Sequence, residues 1–499
     1  MELILRGSRE VFRHLAVVLL AIIFSLALYQ IWDFETRWFA ITAGAIAMVS
    51  VSMCMVAVFA DFVFIVFMFC IPLWSFNKYF WPTRYTGASL GDLVYGGMFG
   101  LGLLDFVLVG LYMSWFFRIF ISREQELPRL YLIDLLIGCF LLVHLLSIIG
   151  SSEPSLGFHA IEYLLKYVML YFYVSRNLRP EHLSWVVAAF CFAIIFEAAL
   201  GAYQHFTGKW LGIALDKGAG SSTLDYQYTV PGLETKKRAT GMSYDSHAYG
   251  CFVAMILPFP LVLYLMPRIK GELRIAYAIV AVLAVFVVII SFSRSAWLGS
   301  AIALVIGIIV LTSVWREGQI VPALGVCLAL ALLSLPWSAS YIYDRFVDSP
   351  IGTLTVRFEE YQFALSLLQM YPIFGVGPGN YFLALKQHDY LWQDELPVHN
   401  VLLWIASETG ILGVGLYVSI VVSAMRRLLA FCRKRRDFVA RLAMAAFIGL
   451  LTLILDGLTE PLFREPSTFT LFWLLIAMSV ALPRFGHPAK NAATITQAS

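Results

Sequence analysis

The side chains best suited to chemistry in this sequence are one histidine and three arginines, each close to a long apolar run. His399 stands in Val-His-Asn-Val-Leu-Leu-Trp, where a long polar segment meets an apolar run. Arg294 lies between two apolar runs in Ser-Phe-Ser-Arg-Ser-Ala-Trp. Arg238 closes a run of three basic residues, and Arg357 opens a stretch with apolar residues at helical spacing.

These residue types together suit transfer from a phosphate-bearing donor to a hydroxyl group. Arginine binds phosphate oxygens bidentately and keeps its charge at all relevant pH values. Neutral imidazole is the side chain best poised near pH 7 to take a proton from a hydroxyl. We therefore expect the arginines to neutralise the leaving pyrophosphate of a lipid-linked donor and His399 to activate a sugar hydroxyl. Because a pyrophosphate held by cations leaves without a general acid, this chemistry needs no carboxylate pair.

Each of these residues also has a structural interpretation. A histidine at a helix start often caps the helix, and an arginine at a membrane face often reaches lipid head groups, which suits Arg294 equally well. The basic run that ends at Arg238 is also consistent with a solvated loop. Arg357 is followed closely by Glu359 and Glu360, so a local salt bridge competes with substrate binding.

A glycine-rich turn and several acidic residues in apolar runs are further candidates. The turn Gly375–Gly379 is interpreted as a hinge rather than as a phosphate-binding nest. Acidic residues in membrane runs are functional candidates by default, and five occur here: Asp105, Asp134, Glu197, Glu408 and Asp456. Glu408 follows His399 by nine residues, about half a turn out of phase on a helix. We therefore expect Glu408 to bond a neighbouring helix rather than to form a dyad with His399.

The elements that must position these residues are membrane-spanning helices. Of the 499 residues, 60% are hydrophobic and 13% are charged, about half the charged fraction of a soluble protein. The apolar residues come in runs near the length that crosses a bilayer. We predict an all-α, polytopic membrane bundle of about 14 spans, within a range of 12–14, centred near Leu20, Met48, Phe67, Gly102, Leu141, Met169, Phe192, Leu257, Val282, Val305, Leu328, Ile411, Leu450 and Leu474.

The distribution of basic residues predicts the orientation of these spans. Alternate loops are the more basic, and the strongest cluster contains Arg426, Arg427, Arg433, Lys434, Arg435, Arg436 and Arg441. By the positive-inside rule these loops are cytoplasmic. An even number of spans then leaves both termini in the cytoplasm, and His399 and the three arginines fall on the outer side of the membrane.

The predicted organisation alternates membrane bundles with two long outer loops. An amino-terminal bundle covers residues 1–206, a periplasmic loop 207–245, further spans 246–337, a large periplasmic loop 338–398, the last spans 399–483 and a cytoplasmic tail 484–499. Loops of this length are usually functional or disordered. The large loop contains an amphipathic helix that begins near Arg357, is stopped by Pro372 and is expected at the membrane surface.

Four segments of the chain resemble the superfamily of O-antigen ligases, O-antigen polymerases and protein O-oligosaccharyltransferases. They are Arg238-Ala-Thr-Gly, Ser293-Arg-Ser-Ala-Trp, the large loop from Arg357 to Asn380, and His399-Asn through Glu408-Thr-Gly. Their order and shared predicted side make the set specific, although each motif is short. The resemblance covers about residues 238–460. The sequence departs from many relatives between Tyr244 and His247.

The resemblance implies a glycosyltransferase with a polyprenyl-pyrophosphate-linked glycan as its donor. It implies that His399 acts on the acceptor and that Arg238, Arg294 and, less directly, Arg357 bind the pyrophosphate. The acceptor is expected to be the lipid A core for a ligase, another lipid-linked glycan for a polymerase, or a Ser or Thr for a protein glycosylator. The implied reaction is inverting, needs no metal or cofactor, and takes place at the periplasmic face of the bacterial inner membrane among membrane lipids, with no nucleic acid involved.

Two other classes of function compete with this interpretation. A transporter or lipid flippase would use many spans and buried acids, but it predicts inverted repeats with broken helices and a site at the membrane midplane. The sequence shows no such repeat, and the candidate groups gather at one face. A non-enzymatic scaffold of an export complex would leave His399 and the outer arginines without a role. The enzyme is therefore the preferred hypothesis.

Overall fold

A computed structural model describes residues 57–73, 77–80, 99–116, 118–119, 129–207, 238–243, 245–267, 269–315, 351–388 and 398–485. The architecture of these residues is helical, as predicted. The residues of the candidate site belong to one compact unit, which takes in the described residues from Asp61 onward except 106–119.

The α-helices are, in chain order, α1 Ala57–Phe69, α2 Leu103–Phe116, α3 Leu132–Ile149, α4 Pro154–Asn177, α5 Leu183–Thr207, α6 Ser246–Ile256, α7 Pro258–Tyr264, α8 Gly271–Ile290, α9 Arg294–Trp315, α10 Ile351–Met370, α11 Tyr381–Gln387, α12 Val401–Lys434, α13 Phe438–Gly457 and α14 Pro466–Arg484. Short 3-10 helices cover Ile71–Leu73, Pro180–His182 and Leu462–Arg464. Two strands, β1 Asn77–Phe80 and β2 Phe99–Gly102, pair antiparallel with Asn77 opposite Gly102.

Within the described residues, eight helices are long and apolar enough to cross a membrane. They are Leu132–Ile149, Pro180–Thr207, Ser246–Tyr264, Gly271–Ile290, Arg294–Trp315, Val401–Lys434, Phe438–Gly457 and Pro466–Arg484. Each contains one of the predicted span centres, from Leu141 to Leu474. The predicted centre at Met169 lies in α4, which has 24 residues but is not among the eight.

The predicted total of about 14 spans is not established by these residues. The centres near Leu20, Met48 and Leu328 lie outside the described residues. The centre near Phe67 falls in a shorter apolar helix. The centre near Gly102 needs correction, because Gly102 ends strand β2 and the following helix begins only at Leu103. Glycine disfavours the helix, and the sequence before Leu103 is rich in glycine.

Helix α9 connects Arg294, at its start, with the most basic turn of the chain, at its end. Helix α9 begins at Arg294 and ends at Trp315, whose indole N–H donates to the carbonyl oxygens of Cys432 at 2.9 Å and Arg435 at 3.1 Å. The Arg441 guanidinium stacks 4.8 Å from the Trp315 ring. At 1.5 Å per residue, α9 places this basic turn about 33 Å from Arg294.

The described part of the predicted large loop is folded rather than irregular. Helix α10 ends at Met370, close to the stop predicted at Pro372, and packs on the short helix α11. Their shared core is apolar and contains Phe363, Leu367, Tyr381, Leu385 and Val398. This small core places one face of α10 against the beginning of α12.

Candidate active site

His399 is held in place by helix α10 rather than by its own helix. Glu360, which is buried on α10, accepts from the His399 backbone N–H at 3.1 Å and from its Nδ1 at 2.8 Å. The Tyr361 hydroxyl donates to the His399 carbonyl oxygen at 2.9 Å. Asn400 begins α12 as its N-cap, with its side-chain oxygen accepting from the Leu403 N–H at 3.0 Å. The position and the ring orientation of His399 are therefore both fixed.

The bond to Glu360 also sets the chemistry of the His399 ring. When Nδ1 carries the proton that it donates to the carboxylate, Nε2 carries the lone pair in the neutral ring. No residue in the described part of the chain hydrogen-bonds Nε2. Burial lowers the pKa of His399, but the bond to Glu360 and the nearby charge of Glu460 outweigh burial and raise that pKa above its usual value. Nε2 is thus the atom available to take a proton.

Arg357 pairs with a distant acid, not with its neighbours in sequence. Its Nη2 donates to Glu460 Oε1 at 2.7 Å, and the same oxygen lies 3.3 Å from Nδ1 of His247. The sequence predicts a local salt bridge between Arg357 and Glu359 or Glu360. For Glu360 this prediction is wrong, because Glu360 bonds His399 instead. Arg357 and Glu360 are three residues apart and hence lie on one face of α10. They bind two different partners, Glu460 and His399.

Arg238 is anchored at the turn between helices α8 and α9. Its guanidinium donates to the carbonyl oxygens of Ser291 and Phe292, both at 3.2 Å, and to Nε2 of His247 at 3.3 Å. Phe292 has φ of 52°, which turns the backbone sharply and exposes these carbonyls. Because arginine only donates, His247 Nε2 must accept, so His247 carries its proton on Nδ1 and faces Ser293 Oγ at 3.0 Å.

Two buried polar residues of α5 hold the segment that follows Arg238. The Gln204 side chain accepts from the backbone N–H groups of Thr240 at 3.0 Å and Gly241 at 2.8 Å. Glu197, one of the acids in apolar runs, accepts from the Met242 N–H at 3.1 Å. Glu197 therefore positions the segment that follows Arg238 by bonding its backbone.

Arg294 is the first residue of α9 and is half-buried. In the part of the chain that the structure describes, its guanidinium makes no hydrogen bond or ion pair. The charges of Arg357 and Glu460 both act on this guanidinium, so it lies near both groups. An unpaired, partly buried guanidinium beside another arginine favours binding of an anion.

The turn Gly375–Gly379 packs on a break in α12 and does not offer its N–H groups to a ligand. The N–H groups of Val376 and Gly377 donate to the carbonyls of Ser407 and Glu408 at 2.9 and 3.0 Å. Gly410, with φ of 67°, breaks the helix there. A Cβ at Gly410 would lie 2.2 Å from the Ile373 carbonyl oxygen, so the close contact requires glycine. The structure thus argues against the phosphate nest, and the hinge stays a prediction.

The remaining acids of the apolar runs each contact polar groups of neighbouring elements. Glu408 faces the backbone N–H groups of Gly379 and Tyr381, as expected for a bond to a neighbouring element. Asp134 pairs with Arg176, and Asp105 lies 3.3 Å from the Lys166 ammonium. Asp456 is fully buried on α13 next to the hydroxyl of Ser295 and the thiol of Cys251. Among the described residues, no group of His, Cys, Asp and Glu is arranged to hold a metal ion.

The four predicted residues gather at one end of the bundle, joined by partners that the sequence did not reveal. Arg294 lies near Arg357 and Glu460, and the charges of the same two groups act on His399. Arg238 is linked to Glu460 through His247, which contacts both. Glu360, Glu460 and His247 were missed as functional residues. The signals available were the spacing of Glu360 from Arg357 and the position of Glu460 just beyond an apolar run.

Part of the chain matches a known protein family. Residues 279–418 match a family model described as O-antigen ligase. The match takes in Arg294, Arg357, Glu360 and His399. No curated protein matches the chain. The resemblance drawn from the four sequence segments is confirmed at the level of the O-antigen ligase-like superfamily.

Proposed function

We propose that this O-antigen ligase-like membrane protein transfers a glycan from a polyprenyl-pyrophosphate donor to an acceptor hydroxyl. The observation that carries the proposal is the geometry of His399. Glu360 engages its Nδ1 at 2.8 Å, and Nε2 has no hydrogen-bond partner among the described residues. The charge of Arg357 acts on the His399 ring and on Arg294, so the three side chains lie near one another. A base oriented by a carboxylate beside anion-binding arginines is the arrangement that this reaction needs.

In the proposed reaction, the acceptor oxygen attacks the anomeric carbon of the donor sugar. His399 Nε2 takes the hydroxyl proton as the new C–O bond forms. The bond between the anomeric carbon and the phosphate oxygen breaks, and the pyrophosphate leaves with the electron pair. Arg294 and Arg357 stabilise the charge on the leaving group, while Arg238 organises the adjoining wall. Direct displacement would invert the anomeric carbon, and no metal is needed for these steps.

The charge distribution favours a periplasmic site in the bacterial inner membrane. The most basic turn lies about 33 Å from Arg294 along α9, and basic turns face the cytoplasm. The site would then face the periplasm, where lipid-linked donors and the lipid A core are both accessible. Both termini would lie in the cytoplasm.

The acceptor separates three related activities that share this chemistry. A ligase would use the lipid A core, a polymerase another lipid-linked glycan, and a protein O-oligosaccharyltransferase a Ser or Thr. We favour the ligase or polymerase, because the matched family is that of the O-antigen ligases. A transporter or flippase is the alternative of another class, and it would not need an oriented base.

The decisive experiment is a transfer assay with the purified protein in liposomes. The polyprenyl-pyrophosphate-linked glycan of the host would be supplied with or without lipid A core. Product that depends on the core would identify a ligase, whereas a ladder of longer lipid-linked glycans without core would identify a polymerase. Product formed on a supplied Ser- or Thr-containing peptide would identify the protein glycosylator.

Variants connect this assay to the site. His399→Ala and Arg294→Ala should both abolish or strongly reduce transfer. His159→Ala on α4 and Arg426→Ala at the basic end are matched controls that remove the same residue types elsewhere, and both should transfer normally. If no glycan is transferred, but labelled donor crosses the liposome membrane, the enzyme proposal is wrong and the flippase replaces it.

A further inference from the structure

Glu460 is a buried carboxylate in the middle of the candidate site, yet the proposed reaction gives it no task. It follows α13 and is only 3% exposed. Its Oε1 accepts from Arg357 Nη2 at 2.7 Å and lies 3.3 Å from His247 Nδ1. One oxygen of this carboxylate therefore occupies the position between two groups that would otherwise attract a phosphate oxygen.

The charged and titratable groups around Glu460 come from every element that borders the site. They are Arg357 and Tyr361 of α10, His399 before α12, Asp245 and His247 at the start of α6, Cys251 of α6, Arg294 of α9 and Asp456 of α13. The cations among them are the groups proposed to bind pyrophosphate. A bound pyrophosphate would add further negative charge within reach of the Glu460 carboxylate.

We propose that Glu460 is a proton-linked counter-ion, which neutralises the empty site and takes up a proton from solvent when a pyrophosphate binds. This inference rests on the proposed function. Like charges in one buried site cannot both persist without a large cost. Protonation of Glu460 removes this repulsion at a lower cost than moving the carboxylate to solvent. Arg357 can then turn from Glu460 to the phosphate while the protonated carboxyl remains buried.

The electrostatic surroundings support this proton uptake. The pKa of Glu460 lies above its usual value, because burial raises this pKa by more than the nearby charges of Arg357 and His399 lower it. A pyrophosphate that draws Arg357 away removes the main stabilising partner and adds repulsion. Both changes raise the pKa of Glu460 further, so the bound state holds the proton over a wider pH range than the free state.

The proposed linkage gives Glu460 a role in product release. Binding accompanied by proton uptake weakens as pH rises between the pKa of the free site and that of the complex. In that pH interval, deprotonation of Glu460 would therefore help to expel polyprenyl pyrophosphate after transfer. A site that contained only the arginines would hold this product more tightly and turn over more slowly.

Calorimetric titration of the full-length protein with a polyprenyl pyrophosphate in detergent micelles tests this inference. Heats measured in buffers of different ionisation enthalpy give the number of protons taken up. We expect the wild type to take up about one proton more than Glu460→Gln and to bind more weakly as pH rises. Glu460→Gln should bind about tenfold more tightly, the change that one pKa unit of linkage represents, with a lower kcat for transfer.

Glu465→Gln is the matched control, since Glu465 is an equally buried acid on the same connection. It should leave proton uptake and affinity unchanged. Unchanged uptake in Glu460→Gln would assign the proton to His399 and overturn the inference. Zero uptake by the wild type would overturn it without any variant, even if Glu460→Gln failed to fold. If the wild type does not bind polyprenyl pyrophosphate at all, the proposed function itself fails.

Discussion

Two buried acid–arginine clusters, one at each end of the bundle, differ in how completely they are closed. At the basic end, Asp134 pairs with Arg176 and accepts from the Tyr171 hydroxyl at 2.5 Å. The Arg176 guanidinium lies 5.4 Å from the Tyr131 ring and 5.1 Å from the Phe172 ring. The two charged side chains are 7% and 3% exposed. Both charged side chains of this cluster are thus almost wholly shielded from solvent.

At the site end, Glu460 holds Arg357 and His247 in a more open arrangement. The side chains of Arg357 and His247 are 24% and 20% exposed. Among the described residues, Arg357 forms its hydrogen bond through Nη2 alone, whereas Arg176 uses both terminal nitrogens. Unused donors on a half-buried guanidinium invite an anion. The closed cluster is buried and fully paired, whereas the open cluster is the one that we propose binds an anion.

The largest expected effect at the open end comes from removing the base. His399→Ala should lower kcat by about 10²- to 10⁴-fold, the usual contribution of a positioned general base. The thermal unfolding temperature should fall far less than kcat, because the buried Glu360 loses the ring but keeps the backbone N–H of residue 399, and Asn400 still caps α12. Transfer assays and thermal unfolding in detergent would check both expectations. A variant that retains near-normal kcat would remove His399 from the mechanism, and His159→Ala reports on nonspecific loss.

The closed cluster predicts the opposite pattern. Asp134→Ala leaves the Arg176 cation buried without its partner, which should lower the free energy of unfolding by about 3–5 kcal/mol. Transfer per folded molecule should stay near the wild-type value. Thermal unfolding and transfer normalised to folded protein would check this, with the exposed Arg426→Ala as control. Loss of transfer by the folded variant would mean that the two ends are coupled and that the comparison is wrong.

Arg294 should respond as a ligand-binding residue without a structural task. Arg294→Ala should reduce kcat/KM for the donor by about 10- to 100-fold, as expected for a lost charged hydrogen bond of about 1.5–3 kcal/mol. The unfolding temperature should not fall, because no ion pair within the described residues is broken. Arg357→Ala should instead reduce both activity and stability, since it leaves Glu460 unpaired. A stability loss in Arg294→Ala would show that Arg294 is a structural anchor.

The sequence points to His399 and Arg294 as candidate residues but does not reveal their partners. The residue types of His399 and Arg294 indicate chemistry wherever they lie, and apolar run length indicates helices. Pairing across the fold leaves no such local trace, because Glu360 is 39 residues from His399 and Glu460 is 103 residues from Arg357.

Helical phase predicts which residues of one helix can share a partner. Phase separated Glu408 from His399, and the structure places Glu408 against α11 instead. Helical phase does not reveal that Arg357 pairs with Glu460 rather than with Glu360, because Arg357 and Glu360 lie on one face of α10. The pairing depends on Glu460, which follows α13 and is brought close only by the fold. Hydrophobicity alone predicts a span centred near Gly102, but glycine disfavours the helix, which begins only at Leu103.

The smallest expected effect concerns Glu360, which positions His399 and tunes its basicity. A general base must be neutral, so transfer should rise with pH through the pKa of His399 and then level off. Because the bond to Glu360 and its charge raise that pKa, Glu360→Gln should shift the rising limb of the kcat profile to lower pH and reduce the plateau by about tenfold. Glu360→Asp should restore part of the wild-type profile. A pH profile that Glu360→Gln leaves unmoved would show that Glu360 acts on packing alone, and the open end would then owe its basicity to Glu460.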